Sequence, residues 1–154
     1  MDVTTTIIGA VILALCITPL VMAYNKKKNR ERKLLQSLVD NAATHSGKIT
    51  NYDIWLNTAI GIDETENRLY FLRTGSPGEY IHQQVSLNDI RSVNTNGAEN
   101  PEHTERIELV LEHINVPPVI LEFYNEKVSL QINEELHLAR KWQAIIDSRL
   151  KHQI

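Results

Sequence analysis

The sequence predicts an N-terminal transmembrane helix followed by a single α+β domain, in which about seven antiparallel strands are closed by a C-terminal α-helix. Three observations carry this. No charged side chain lies between Val3 and Tyr24, and Lys26, Lys27, Lys28, Arg30, Arg32 and Lys33 follow at once. From Ile49 to Phe123 short apolar runs are punctuated by turn residues, with no helical period between them. After Asn133 an apolar stripe recurs at helical spacing.

The span is placed at residues 3–24. At about 1.5 Å per residue such a helix reaches roughly 33 Å, enough to cross a hydrocarbon core of about 30 Å. Ten residues between Ile7 and Met22 are Ile, Leu, Val or Met. A cleavable signal peptide would carry its positive charge before the apolar run, and here the charge comes after it. Val21-Met22-Ala23 is a poor cleavage site, and Leu15 before Cys16 does not suit lipidation. A basic block this close to a short span holds its own end in the cytoplasm, so the amino terminus is expected outside. Thr6, Ala10, Ala14 and Thr18 fall on one helix face as a ridge of small residues. Such a ridge suits pairing with another membrane helix, although Ala and Thr are common in spans anyway. Pro19 is expected to bend the last turn.

Residues 25–46 read as a basic juxtamembrane helix. Leu34, Leu35, Leu38, Val39 and Ala42 recur at three- and four-residue steps. Packing on the following domain is the default for that stripe, with the bilayer or a second copy as alternatives. His45-Ser46-Gly47 ends the helix, Gly47 being the residue expected to turn left-handed.

Residues 47–154 form the cytoplasmic domain, large enough to be one domain. Strands are expected at Ile49–Leu56, Thr58–Asp63, Leu69–Arg73, Glu79–Ser86 and Ile90–Asn94. Asp63-Glu64-Thr65-Glu66-Asn67 and Thr74-Gly75-Ser76-Pro77-Gly78 supply turns, Leu87-Asn88-Asp89 a tight corner, and Asn96-Gly97 with Asn100-Pro101 the longest loop. Ile107, Leu109 and Leu111 then alternate with Arg106, Glu108 and Glu112, the pattern of a half-buried strand. After Asn115-Val116-Pro117-Pro118 the inward set repeats at Val119, Leu121 and Phe123. The closing helix has Asn133 as its expected N-cap and Glu134 and Glu135 in the first turn, with Arg149, Lys151 and His152 at its end. Leu138, Ala139, Trp142, Ile145, Ile146 and Leu150 form its apolar stripe. Left in water that stripe would cost about 25 cal/mol per Å², so it must plug a sheet.

Charge and cysteine content exclude several classes. From Lys48 onward there are 10 Lys and Arg against 16 Asp and Glu, a balance of −6. An acidic domain is a poor nucleic-acid binder. Cys16, the only cysteine, lies in the span, so neither a disulfide framework nor a cysteine zinc site is available.

Seven short strands and one amphipathic helix with Trp142 at its middle resemble the pleckstrin-homology-like domain, in its bacterial or GRAM-like forms. The resemblance covers Lys48 to Leu150. It implies a partly open antiparallel β-barrel from two nearly orthogonal sheets, capped by the C-terminal helix with Leu138, Trp142, Ile145 and Ile146 as the plug. With its span, the layout also resembles small bacterial membrane proteins that carry no established activity. Phosphoinositide-binding members use Lys and Arg around the first two strands. The matching stretch, Lys48 to Thr58, has Lys48 as its one basic residue, and Asp53 would oppose a phosphate. Lipid binding by that route is the weakest alternative. Family members also accept peptides as an added strand, and the matching edge here is Ile90 to Thr95, with Ile90, Arg91, Val93 and Thr95 as candidate contacts.

No nucleophile elbow, P-loop or metal-ligand spacing occurs, and the six histidines form no HExxH or HxH pair. His103 and His113 near Glu102, Glu105 and Glu112 read as solvated surface. Trp55 reads either as a core residue or as an exposed binding anchor. No catalysis, cofactor, metal or small-molecule substrate is expected. The expected function is an adaptor or scaffold module, integral to the bacterial inner membrane by one pass, that holds a protein partner in the cytoplasm. The alternative is a structural or assembly subunit that self-associates through its span. A piece starting at residue 47 is expected to keep partner binding in the first case and to be inert in the second.

Overall fold

The computed structural model describes residues 2–76, 78–97, 99, 103–129, 132 and 134–152. The expected N-cap Asn133 and the loop marker Asn100-Pro101 lie outside the described residues. The chain divides into two compact units, Met1–Lys33 and Leu34–Ile154. One helix, α1 (Val3–Thr44), runs through the division without interruption and contains Pro19.

In the first unit α1 is the one helix, among the described residues, long and apolar enough to cross a membrane. Its side chains from Val3 to Arg30 are all exposed. That is an expensive surface in water and an ordinary one in lipid.

The second unit is built from seven strands and a helix. They are β1 (Asn51–Trp55), β2 (Thr58–Asp63), β3 (Arg68–Thr74), β4 (Tyr80–Ser86), β5 (Ile90–Asn96), β6 (Arg106–His113), β7 (Val119–Asn125) and α2 (Glu135–Lys151). A 3-10 turn at Leu87–Asp89 makes the expected corner between β4 and β5. The strands form two antiparallel sheets, β1-β2-β3-β4 and β5-β6-β7. No strand pairing joins the sheets among the described residues, so the expected barrel does not close.

Between the sheets lies the main core. Ile60, Ile62, Leu69, Phe71 and Val85 meet Ile107, Leu109, Leu111, Leu121 and Phe123, with Leu138, Ala139, Trp142 and Ile146 of α2 in the same cluster. Ile145 packs against it only half-buried. The apolar stripe of α2 is therefore buried in this core, with Trp142 fully buried.

A second cluster covers the other face of the four-stranded sheet. Leu34, Leu38 and Ala42 of α1 pack on Ala59, Tyr70 and Leu72. This is the default packing expected of the juxtamembrane stripe. All six residues of β2 are buried as a result, because both of its faces are covered. Gly61 permits the close approach: a Cβ there would lie 2.9 Å from Leu38 Cδ2 and 3.1 Å from Ile49 Cγ2. Asn41 adds a 3.0 Å hydrogen bond to Nδ1 of His82 on β4. A piece starting at residue 47 would lack this cover, so it does not test the domain in its folded form.

The end of α1 differs from expectation in one residue. Ser46, with φ 60°, takes the left-handed conformation, while the Gly47 N–H donates to the Ala42 carbonyl at 2.8 Å. Gly47 is needed for space instead, since a Cβ would meet the Tyr70 hydroxyl at 2.6 Å. Beyond it, Asp63 fixes the chain. Its buried carboxylate accepts the Lys48 N–H at 2.6 Å and the Thr65 and Glu66 N–H groups at 2.9 and 3.0 Å. Burial pushes its pKa up, but those three donors, with Arg68 nearby, prevail and hold it below the usual carboxylate value.

Candidate interaction surfaces

The expected peptide edge lies on β5, at the margin of the three-stranded sheet. Its side chains do not simply alternate. Ile90 and Val93 are both buried although three positions apart, because the register shifts between Ile90 and Ser92. Such a bulge gives one strand an extra residue and returns the next apolar side chain to the same face. Arg91 falls at the shift and is exposed. The Thr95 hydroxyl bonds Gln143 Oε1 on α2 at 2.6 Å. Of the four expected contacts, Ile90 and Val93 are committed to the core and Thr95 to α2. Arg91 and the outer backbone of β5 are what the edge presents to a partner.

Asp53, which would oppose a phosphate, has a different task. Its Oδ2 accepts Lys141 Nζ at 2.6 Å and the Trp142 Nε1–H at 2.8 Å, tying β1 to α2. Trp55 is not an exposed anchor. It is buried, stacks on Phe123 with ring centroids 4.7 Å apart, and donates its Nε1–H to the Phe123 carbonyl at 3.1 Å. This contact joins β1 to β7 by side chains where the backbones do not pair.

A crevice of about 370 Å³ opens beside that stack, between the β1–β2 turn, the end of β3 and β7. An Arg73–Glu122 ion pair lies in its wall, and Asn125 Nδ2 donates to Glu122 at 3.1 Å. The rim carries exposed Leu56, whose φ of 44° is unusual for a residue with a Cβ, and exposed Val128. With its charges paired internally, the crevice suits a small uncharged group better than an anion. Sequence reasoning did not find it, because Arg73 and Glu122 are 49 positions apart and neither belongs to a motif.

In the first unit Thr6, Ala10, Ala14 and Thr18 are exposed along α1. The Thr18 hydroxyl donates to the Ala14 carbonyl at 2.6 Å, so its proton is used within the helix. The cations Lys26, Lys27, Lys28, Arg30, Arg32 and Lys33 are exposed, and Lys27 lies 3.9 Å from Glu31. Among the described residues no group of three or more His, Cys, Asp or Glu converges as a metal site would require. Comparison with protein families, with curated proteins and with solved structures finds no match to this chain.

Proposed function

We propose that the chain is a single-pass, membrane-anchored interaction module with a pleckstrin-homology-like domain, a partly open barrel capped by α2. In this reading residues 3–24 span a bacterial inner membrane with the amino terminus outside. The collar Lys26 to Lys33 sits at the anionic cytoplasmic surface, and the domain holds a protein partner without catalysis. One observation supports it most. Among the described residues β5 has a strand neighbour on one side only, and it is pinned from behind by Ile90, Val93 and the Thr95–Gln143 bond, which makes it a rigid template for an added strand.

The test is crosslinking of the full chain in native membranes. Val93→Pro interrupts strand pairing and should abolish capture of the partner, whereas Arg140→Glu on α2 should only tune it. Because Val93 is a core residue, fluorescence of the buried Trp55 and Trp142 must first show that the variant folds. Arg91→Glu, at an exposed position, gives a second reading free of that concern. Equal capture by wild type, Val93→Pro and Arg91→Glu would refute the edge. Only self-crosslinks, lost when Thr6, Ala10, Ala14 and Thr18 are changed to Leu, would instead make the span the working part.

A further inference from the structure

Asparagine is a chemically labile residue, and of the asparagines in the chain Asn96 alone is followed by glycine. The turn after β5 requires that glycine. Gly97 has a φ of 82°, in the left-handed region. A Cβ at position 97 would collide with the Arg106 carbonyl oxygen and lie 2.8 Å from Thr104 Cγ2. The Gly97 carbonyl accepts the Thr104 hydroxyl at 2.9 Å, which holds the turn in this shape. Asn96 itself is the last residue of β5 and is exposed, with Glu108 of β6 as its cross-strand partner.

We propose that Asn96 is a site of spontaneous deamidation and that its products loosen the end of β5. The reaction needs water and no other reagent. The backbone nitrogen of Gly97 gives up its proton and attacks the side-chain carbonyl carbon of Asn96. A C–N bond forms there, the bond from that carbon to Nδ2 breaks, and Nδ2 leaves with the proton as ammonia. What remains is a five-membered cyclic imide. Water opens it at either carbonyl. Cleavage at the side-chain carbon leaves aspartate, and cleavage at the main-chain carbon leaves isoaspartate.

The rate of such an intramolecular closure depends on how freely the nucleophile reaches the carbon it attacks. Any other side chain at position 97 would crowd the attacking nitrogen, and the collision with Arg106 shows why the fold cannot use one. Asn96 also lies where the ladder ends, so the backbone rotation that closure needs breaks only the last cross-strand pair. Either product sets a carboxylate opposite Glu108, and like charges across a ladder repel. Arg106, 3.9 Å from Glu108, offsets that repulsion in part. Isoaspartate also adds a methylene to the backbone and so disturbs the register after Thr95. The loosened stretch belongs to the margin assigned above to a partner strand. Its effect on a partner rests on that reading, whereas the modification itself does not.

The test is incubation of the full chain in mild detergent at mildly alkaline pH, followed by peptide mapping with mass spectrometry. Asn96 should replace its NH2 by OH about tenfold faster than Asn94, an exposed asparagine of the same strand that is followed by Thr95. The modified peptide should separate into two species, aspartate and isoaspartate. Asn96→Gln, which could close only a six-membered ring, should stay unmodified. Asn96→Asp mimics one product and should raise amide hydrogen exchange at the paired ends of β5 and β6 by about threefold, while Asn96→Gln should not. None of these readouts uses a partner, so they succeed or fail independently of the β5 edge. Equal rates at Asn96 and Asn94 overturn the proposal, and so does modification that occurs only in urea. Unchanged hydrogen exchange in Asn96→Asp overturns the loosening.

Discussion

Replacing Asp63 with Asn should cost the domain a few kcal/mol at neutral pH, and the cost should shrink in acid. The carboxylate takes three backbone N–H donors, two on Oδ1 and one on Oδ2. Hydrogen bonds to a charged acceptor contribute about 1.5–3 kcal/mol each, and neutral ones about 0.5–1.5. In Asp63→Asn the amide oxygen can keep the Thr65 and Glu66 bonds in weaker, neutral form. The amide nitrogen then faces the Lys48 N–H, donor against donor, and leaves it unpaired. Taken together the loss is about 2–4 kcal/mol. With a urea slope of about 2 kcal/mol per molar, the midpoint falls by roughly 1–2 M.

The sign of the pH dependence follows from the lowered pKa of Asp63. An unfolded Asp titrates near about 3.9, so in mildly acid solution the unfolded chain binds more protons than the folded one. The stability this group supplies is complete above that value and is lost as pH falls through the folded pKa. Asp63→Asn has no such group. Urea unfolding of the full chain in mild detergent, followed by tryptophan fluorescence, should show a midpoint gap that is wide at about pH 7 and narrows below about pH 4. A gap that stays constant with pH, or a variant as stable as wild type at neutral pH, would refute the reasoning.

Two further predictions concern the layers around the four-stranded sheet. Gly61→Ala pushes a methyl into Leu38 and Ile49 and should destabilise by about 1–3 kcal/mol. Because Leu38→Ala vacates the same space, the double variant should lose less than the two single losses combined, which a double-mutant cycle in urea measures. Trp142→Phe keeps most of the buried ring but removes the bond to Asp53 Oδ2, leaving Lys141 as its remaining partner on α2. A loss of about 1–2 kcal/mol is expected. Thermal unfolding monitored through Trp55 reads it directly, and an unchanged melting temperature would show that Asp53 does not tie α2 to β1.

Legibility in the sequence varied with how each element meets water. β6 was plain because one face is wet and the other dry: Ile107, Leu109 and Leu111 are buried while Arg106 and Glu112 are exposed. β2 offered no such alternation, since α1 covers one face and the core the other. β5 concealed its inner face behind the register shift at Arg91, which breaks the period of two. Of the candidate surfaces, the margin at β5 was found from strand order and resemblance. Which strands lie at the margins became visible only once the sheets were assembled, because an edge is a property of neighbours and not of a segment.

The sequence by itself determined the long apolar helix with its basic collar, the order and type of the elements, and the helix that must bury Trp142. These follow from local period, local charge and chain length, which act over a few residues. Tertiary structure alone decided that Trp55 stacks on Phe123, that Asp53 binds α2, that Asp63 gathers the Lys48 amide, and which strands lie at the margins. Each of these joins groups far apart in the chain, 68 positions in the case of Trp55 and Phe123. Their partners are chosen by the register and layering of the two sheets, and no local pattern encodes them.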